Sequence, residues 1–259
     1  MTGKGDVPAI RAFRANLQSV HELMRFDDMI LEFVIGPMQR LSERQTTAGI
    51  TNPRHRVDQM LSMVRGIKQN ESLRPHYAAM YNQCLVLLVS YFASATRNLF
   101  IDAVVSAMES GARDELLDAE IRLTPREVME GGGSSSALLA ESIADAKDMS
   151  FQDMQSVDRA FRRYFDVAPE KGQMVNDIIV AQACRHAIVH AGARVNRRLI
   201  SQVRTATPRM VKVVLKDDAT IEFSRLEVRA VMKEMLKYLR DTAALIENAG
   251  IVLPRQPDV

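Results

Sequence analysis

An arginine and two histidines lie within one six-residue stretch, RHAIVH, that runs from Arg185 to His190. Apolar residues recur at helical spacing from Met174 to Ile200 and predict a helix with one buried side. His186 and His190 are four residues apart and share a face of that helix, whereas Arg185 and His190 lie roughly 140° apart around it. Histidine moves protons near neutral pH and arginine binds phosphate, so the stretch predicts chemistry on a phosphate.

Charge is distributed unevenly along the chain, although its net charge is only +2. The interval from Ile178 to Lys216 has eight basic residues and no acid, whereas Ile101 to Ser150 has eleven acids against four bases. A basic region of this kind attracts an anion such as a nucleic-acid backbone. The residues that we expect to guide RNA there are Arg194, Arg197, Arg198 and Arg204.

One interpretation of the RHAIVH stretch is a ribonuclease site that needs no metal. A histidine such as His190 removes a proton from a ribose 2′-OH or delivers one to the leaving 5′-oxygen. Arg185 holds the phosphate and stabilises the negative charge added in the transition state. Because one chain supplies only one His190, the second acid or base is expected from His190 of a second copy across a two-fold axis.

Two other interpretations remain open. The i,i+4 spacing of His186 and His190 suits half a zinc site, but a hydrolytic zinc helix has glutamate where Ala187 stands, and the other histidines show no ligand spacing. We therefore expect no metal and no cofactor. In the structural interpretation, the histidines and the arginine only hydrogen-bond to neighbours of a partly buried helix. Gly192 is expected to remove bulk beside the stretch and permit close approach of a backbone or a partner helix.

Composition and periodicity predict an all-α protein, a helical bundle with one small β-hairpin. Tryptophan is absent, and methionine is frequent at 15 residues, which favours helices with adaptable packing. The longest helical pattern, Ser72 to Ser110, is apolar around most of its circumference and predicts a central helix. β-Branched residues on both sides of Lys216 to Ala219 predict the hairpin near 210–223, and Ser224 is expected to cap a last helix ending near Asn248.

These elements divide the chain into three regions. Residues 1–70 are predicted to form an N-terminal helical extension, in which Gly36-Pro37 should kink or break the helical pattern. Residues 71–250 form the helical bundle that contains the RHAIVH stretch. Residues 251–259 are expected to be a disordered tail.

The sequence predicts neither export nor membrane insertion. We expect no secretory signal, because no apolar segment follows the first residues. The most apolar run, Cys84 to Thr96, is too short to span a bilayer. Cys84 and Cys184 lie in apolar contexts and are expected to be buried free thiols. These features predict a soluble, cytoplasmic protein without a membrane partner.

The RHAIVH stretch resembles the signature of HEPN domains, in which four to six residues separate an arginine from a histidine and a polar residue follows the arginine. The order of the surrounding elements agrees, with a long apolar helix first, then the motif helix, the hairpin and the last helix. This order is similar to that of the RiboL-PSP-like branch of the superfamily. The resemblance covers roughly Ser72 to Asn248.

The resemblance implies a dimeric helical-bundle endoribonuclease that cuts RNA without metal and leaves a 2′,3′-cyclic phosphate, often in a toxin or anti-phage defence role. Arg185 and His190 are then the catalytic pair, and His186 is the polar residue between them, in an active site at the homodimer interface. An antitoxin or another protein of a defence system is the partner that such a role implies.

Many HEPN domains also place an acid in the first long helix, directed at the site. The matching stretch here, Tyr91 to Arg97, has none, and Ser94 or Thr96 is expected to hydrogen-bond in its place. Some HEPN domains are non-catalytic. The alternative is therefore a HEPN-like module that binds a protein or a nucleic acid in a defence or regulatory assembly.

Overall fold

Eight α-helices make up most of the described chain, which comprises residues 6–47, 56–69, 74–113, 135–146, 149–214 and 216–255 of a computed structural model. This part of the chain contains no β-strand, which confirms the predicted all-α class. In chain order the helices are α1 (Pro8–Thr47), α2 (Arg56–Gln69), α3 (Arg74–Ser110), α4 (Ser135–Ala144), α5 (Met154–Phe165), α6 (Gln173–His190), α7 (Arg197–Val203) and α8 (Arg225–Asn248).

Helix α3 is the central element of the fold. Five helices, α1, α4, α5, α6 and α8, pack against it. By length and composition alone α3 is apolar enough to cross a bilayer, and it is longer than the apolar run Cys84 to Thr96 indicates. Because other helices cover it, its apolar surface contributes to the core. Its largest fully buried side chains are Leu85, Leu88, Phe92, Leu99 and Phe100.

Helix α1 is one helix of 40 residues that continues through Pro37, so Gly36-Pro37 does not break it, and the kink predicted as the other possibility stays a prediction. Its first half is amphipathic, and Phe13 packs edge to face on Phe92 of α3 with the ring centroids 6.1 Å apart. This half shares one core with the rest of the bundle. The second half is more exposed, with Phe33 81% exposed. The domain boundary near residue 70 stays a prediction.

The described residues of the connection from α7 to α8 contain no β-strand, so the predicted hairpin near 210–223 is not confirmed. Its described residues pair with other parts of the chain: the amide of Ile221 donates to the Ala193 carbonyl at 2.8 Å, and an isolated antiparallel bridge joins Arg194 to Thr220. Asn82 of α3 donates to the Ile221 carbonyl at 2.7 Å and accepts from the Phe223 amide at 3.2 Å. In the other half of the predicted hairpin, the amides of Val211 and Lys212 donate to the side chains of Asp177 and Glu227, so they do not pair with residues 220–223.

The ends of the last helix are only partly as predicted. Ser224 caps α8, and its capping box with Glu227 is complete. The predicted disordered tail is corrected over 251–255, because Ile251 and Leu253 are buried and Arg255 pairs with Glu247. Residues 256–259 lie outside the described residues.

Candidate active site at the end of helix α6

Helix α6 carries the RHAIVH stretch in its last turns and ends at His190. The chain then leaves the helix through Gly192 and Ala193, whose φ angles of 59° and 58° are left-handed. A Cβ at Gly192 would meet no atom within 4 Å. The glycine therefore suits the backbone angle. Within the described residues no other backbone approaches it, and the approach of a partner helix stays a prediction.

The two histidines of this helix lie against each other. The ring centroids of His186 and His190 are 4.8 Å apart, with an angle of 50° between the ring planes. His186 is half-buried and His190 is exposed. Burial lowers the pKa of His186 from its ordinary value of 6.5, and the nearby charges of Arg198, His190 and Arg185 lower it further. An imidazole with a lowered pKa is neutral near pH 7 and is ready to accept a proton.

Arg185 lies beside His186 rather than against His190. Its charge acts on His186, whereas within the described residues no hydrogen bond, ion pair or ring contact joins it to His190. The Nε atom of Arg185 is buried and has no hydrogen-bond partner there. A buried donor without a partner costs free energy that a negatively charged acceptor would recover if the side chain turned toward it.

The basic residues that follow α6 do not act as one surface. Arg198 is exposed on α7 and lies close enough to act electrostatically on His186. The basic interval is partly neutralised, because two acids beyond Lys216 fold back against it. The pairs are Arg194 with Asp218 at 3.8 Å and Arg197 with Asp217 at 3.9 Å, and Arg204 is exposed at the end of α7. We call Arg185, His186, His190 and Arg198 the α6 cluster.

Three buried polar residues position α6 and the turn that follows it, and sequence reasoning did not identify them. The carboxylate of Asp177 accepts from the amides of Met210 and Val211, and the Gln182 side chain accepts from the amide of Met154. Asn82 holds the segment that pairs with the chain after His190. Each of them is a polar residue at a position of an apolar helix that should face the core. A buried polar side chain needs a hydrogen-bond partner, so such a position could have been recognised in the sequence.

The expected substitute for a helix α3 acid is not in the α6 cluster. The Thr96 hydroxyl is buried and donates to the Phe92 carbonyl of its own helix at 2.8 Å. Ser94 is exposed. Neither hydrogen-bonds to Arg185 in the part of the chain that the structure describes.

Both cysteines are buried free thiols, as predicted. Burial raises the pKa of Cys84 to about 11 and that of Cys184 to about 12, so neither is a ready nucleophile near neutral pH. Among the described residues, no three His, Cys, Asp or Glu side chains group together to hold a metal ion.

No protein-family model, curated protein or solved structure matches this chain.

Proposed function

We propose that this protein is a metal-independent endoribonuclease of the HEPN type, with the α6 cluster as its active site. One observation carries the proposal: a half-buried imidazole lies ring to ring with an exposed imidazole, and burial together with the charges of two arginines lowers the pKa of the first. Cleavage of RNA by its own 2′-hydroxyl needs one group that takes a proton and another that gives one. The His186 and His190 pair offers both within one chain.

The reaction follows from the different surroundings of the two histidines. Neutral His186 accepts the proton of the ribose 2′-OH as the 2′-oxygen attacks phosphorus and the P–O2′ bond forms. His190 in its protonated form donates to the 5′-oxygen as the P–O5′ bond breaks. The products are a 2′,3′-cyclic phosphate and a free 5′-hydroxyl, and the two histidines exchange protonation states over the step.

The arginines bind the phosphate that reacts. Arg185 and Arg198 approach the histidine pair from α6 and α7, and a guanidinium stabilises the charge that develops on the phosphoryl oxygens. The unpaired Nε of Arg185 supports this role, because a phosphate oxygen would give that atom an acceptor. Arg194, Arg197 and Arg204 are assigned to the flanking RNA backbone, with Arg194 and Arg197 released from their exposed acid partners on binding.

Cleavage of single-stranded RNA in the presence of EDTA tests the proposal. We expect the wild type to leave a 2′,3′-cyclic phosphate, detected by mass spectrometry, and His190→Ala to cut at least about 100-fold more slowly. His76→Ala is the matched control, because His76 is exposed on α3 and lies outside the cluster. The proposal fails if the wild type cuts no RNA, or if His190→Ala cuts as fast as the control.

We extend the proposal to a homodimer with the active site at its interface. The proposed role is that of a toxin or an anti-phage protein in the cytoplasm. Its partner would then be an antitoxin or another defence protein. Val189, next to His190, is 46% exposed, which supports burial against a second copy. Sedimentation should give twice the mass of one chain under the conditions in which RNA is cut. A monomer that cuts RNA would contradict the homodimer and leave the mechanism of His186 and His190 within one chain in place.

A second candidate is a HEPN-like module that binds without cutting. The observation in its favour is the set of large apolar side chains exposed on α1 and α2, which is typical of a surface that meets another molecule. If wild type binds RNA in a filter assay and leaves it intact, this candidate replaces the nuclease. The exposed side chains are Phe26, Phe33, Met60 and Met63.

A further inference from the structure

The second half of α1 and helix α2 carry large apolar side chains that are exposed. Met24 is the last buried side chain of α1, and none of the described side chains in residues 32–47 is buried. Helix α2 packs chiefly on α1, and Leu61 is its one buried side chain among those that are described. We call residues 32–47 together with α2 the α1–α2 arm.

The α1–α2 arm has too little core to hold two helices together. It comprises sixteen residues of α1 and the 14 residues of α2. A unit of fewer than about 40 residues usually needs a disulfide, a metal or a second subunit to be stable. Both cysteines are buried free thiols outside the arm, and the described residues contain no metal-binding group of side chains. Association with another surface is the way that is left to bury the arm.

The exposed apolar residues of α1 form one face. Phe33, Pro37 and Leu41 follow one another at i,i+4 spacing, and all three are exposed. Met60 and Met63 on α2 are exposed as well, at i,i+3 spacing. A helix with an apolar face normally buries it against another element. In the described chain this face has no such element.

The apolar area of the arm matches what a stable dimer needs. A standard interface buries about 800 Å² per partner, of which about 65% is apolar in homodimers, so each copy supplies about 520 Å² of apolar surface. A fully exposed side chain of this size offers roughly 200 Å². The exposed fractions of four side chains then amount to about 500 Å², and they are Phe33 (81%), Met63 (68%), Met60 (55%) and Leu41 (47%).

The charges of the arm favour a protein partner. Residues 32–47 contain two acids and two bases, Glu32, Glu43, Arg40 and Arg44. The whole arm has five bases and three acids, whereas the interval from Ile178 to Lys216 has eight bases and no acid. A nucleic acid is attracted by the second pattern, and a helix that lies on a membrane also has a polar face rich in Lys and Arg. Two surfaces of balanced charge approach each other without net repulsion.

A second copy of the chain fits the spacing of the face. If two copies of α1 pack antiparallel with the two-fold axis at Pro37, Phe33 of one copy lies opposite Leu41 of the other, because each is four residues from Pro37. A larger side chain then faces a smaller one at both positions. Met60 and Met63 add flexible side chains that fill irregular gaps. Two pairs of helices make a four-helix bundle, in which each helix buries one face.

We propose that the α1–α2 arm binds the same arm of a second copy of this chain, so that four helices share one core. The inference is independent of the ribonuclease proposal, because it uses no residue of the α6 cluster and holds for a chain that cuts no RNA. It assigns a contact between copies that differs from the one proposed at Val189.

Sedimentation velocity of the full chain without RNA, over a range of protein concentrations, tests the inference. We expect wild type to form a dimer with a Kd in the micromolar range or below. Phe33→Glu should raise that Kd about 30-fold or more, as expected for a side chain at the centre of an interface. Because Phe33 is exposed in the single chain, circular dichroism should show an unchanged helix content.

Val252→Glu is the matched control. Val252 is 79% exposed and follows the end of α8, whereas the start of α8 contacts Tyr81 near the beginning of α3, where the arm is attached. This variant should form dimers like wild type. A monomer at every concentration, or a dimer that Phe33→Glu weakens no more than Val252→Glu does, overturns the proposal. Wild type that stays monomeric and sediments with anionic lipid vesicles overturns it too, and assigns the face to a membrane. Because no RNA is present, none of these outcomes bears on the cleavage assay.

Discussion

Two regions of this molecule, the α6 cluster and the α1–α2 arm, differ in how their helices are held in place. In the α6 cluster, two imidazoles lie against each other at the end of one helix, and the charges of Arg185 and Arg198 act on one of them. Helix α6 itself is held by the buried side chains of Asp177 and Gln182. In the α1–α2 arm, Leu61 is the one buried side chain among those that are described, and the large apolar side chains are exposed. The α6 cluster is therefore supported within one chain, whereas the arm lacks such support.

This difference separates reaction from association. Imidazoles in contact can pass protons near neutral pH, whereas apolar side chains associate by leaving water. The α6 cluster has the pair of groups that proton transfer needs. The α1–α2 arm has an apolar face that a second copy covers. We therefore expect the first region to determine the rate of a reaction and the second to determine the oligomeric state.

The largest expected effect appears when one variant of each region is measured in both assays, RNA cleavage and sedimentation. Arg185→Gln should slow RNA cleavage about 100-fold, because it removes a donor to the charge that develops in the transition state, and should leave the Kd of the dimer unchanged. Phe33→Glu should weaken the dimer and leave the cleavage rate per chain unchanged, because both histidines belong to one chain. If either variant alters both assays by similar factors, the two regions form one unit and the comparison fails.

An intermediate effect is expected from two buried residues that support the two regions separately. Asn82→Ala leaves the Ile221 carbonyl and the Phe223 amide without their partner, and should lower the free energy of unfolding by about 2 to 4 kcal/mol. Leu61→Ala removes a buried side chain of the arm, and should cost about 2 kcal/mol.

Urea unfolding measures both losses, and the cleavage and sedimentation assays show where they act. Asn82→Ala should slow RNA cleavage at a temperature where the protein stays folded, because Asn82 holds the segment that pairs with the chain after His190. Leu61→Ala should weaken the dimer about tenfold. Equal effects of the two variants on both assays would show that these residues support the fold and neither region in particular.

Local patterns predicted the helices well, because helical periodicity is a property of neighbouring residues. The mostly apolar segments that form α3 and α6 are too long for a strand, which is why they predicted helices, and Ser224 is a complete cap signal. Pro37 shows the limit of this approach. Its local preference against a helix interior was overridden in a helix of 40 residues.

The lack of a β-strand among the described residues near 210–223 and the exposure of the arm depend on contacts between distant parts of the chain. β-Branched residues predicted strands near 210–223, but Asn82 and the residues after His190 bind the backbone there. In the sequence, Phe33 and Leu41 continue an apolar helical pattern that begins with Phe13. Only the packing of α1 on α3 shows that the first half of this pattern is buried and the second half is exposed.

The smallest expected effect is the pH dependence that His186 gives to stability. Its pKa is lowered in the folded chain, so below the ordinary value of 6.5 the unfolded chain binds a proton that the folded chain does not. Stability from this group is then present above that value and is lost as pH falls through it. Wild type should lose more unfolding free energy than His186→Gln between about pH 7.5 and pH 5. Imidazole NMR titration should show a lowered pKa that Arg198→Gln restores only in part, since burial is the larger cause. A pKa of His186 at or above 6.5 by NMR in wild type would remove the reason for assigning His186 as the base. The assignment of His190 as the acid would then lose its support as well.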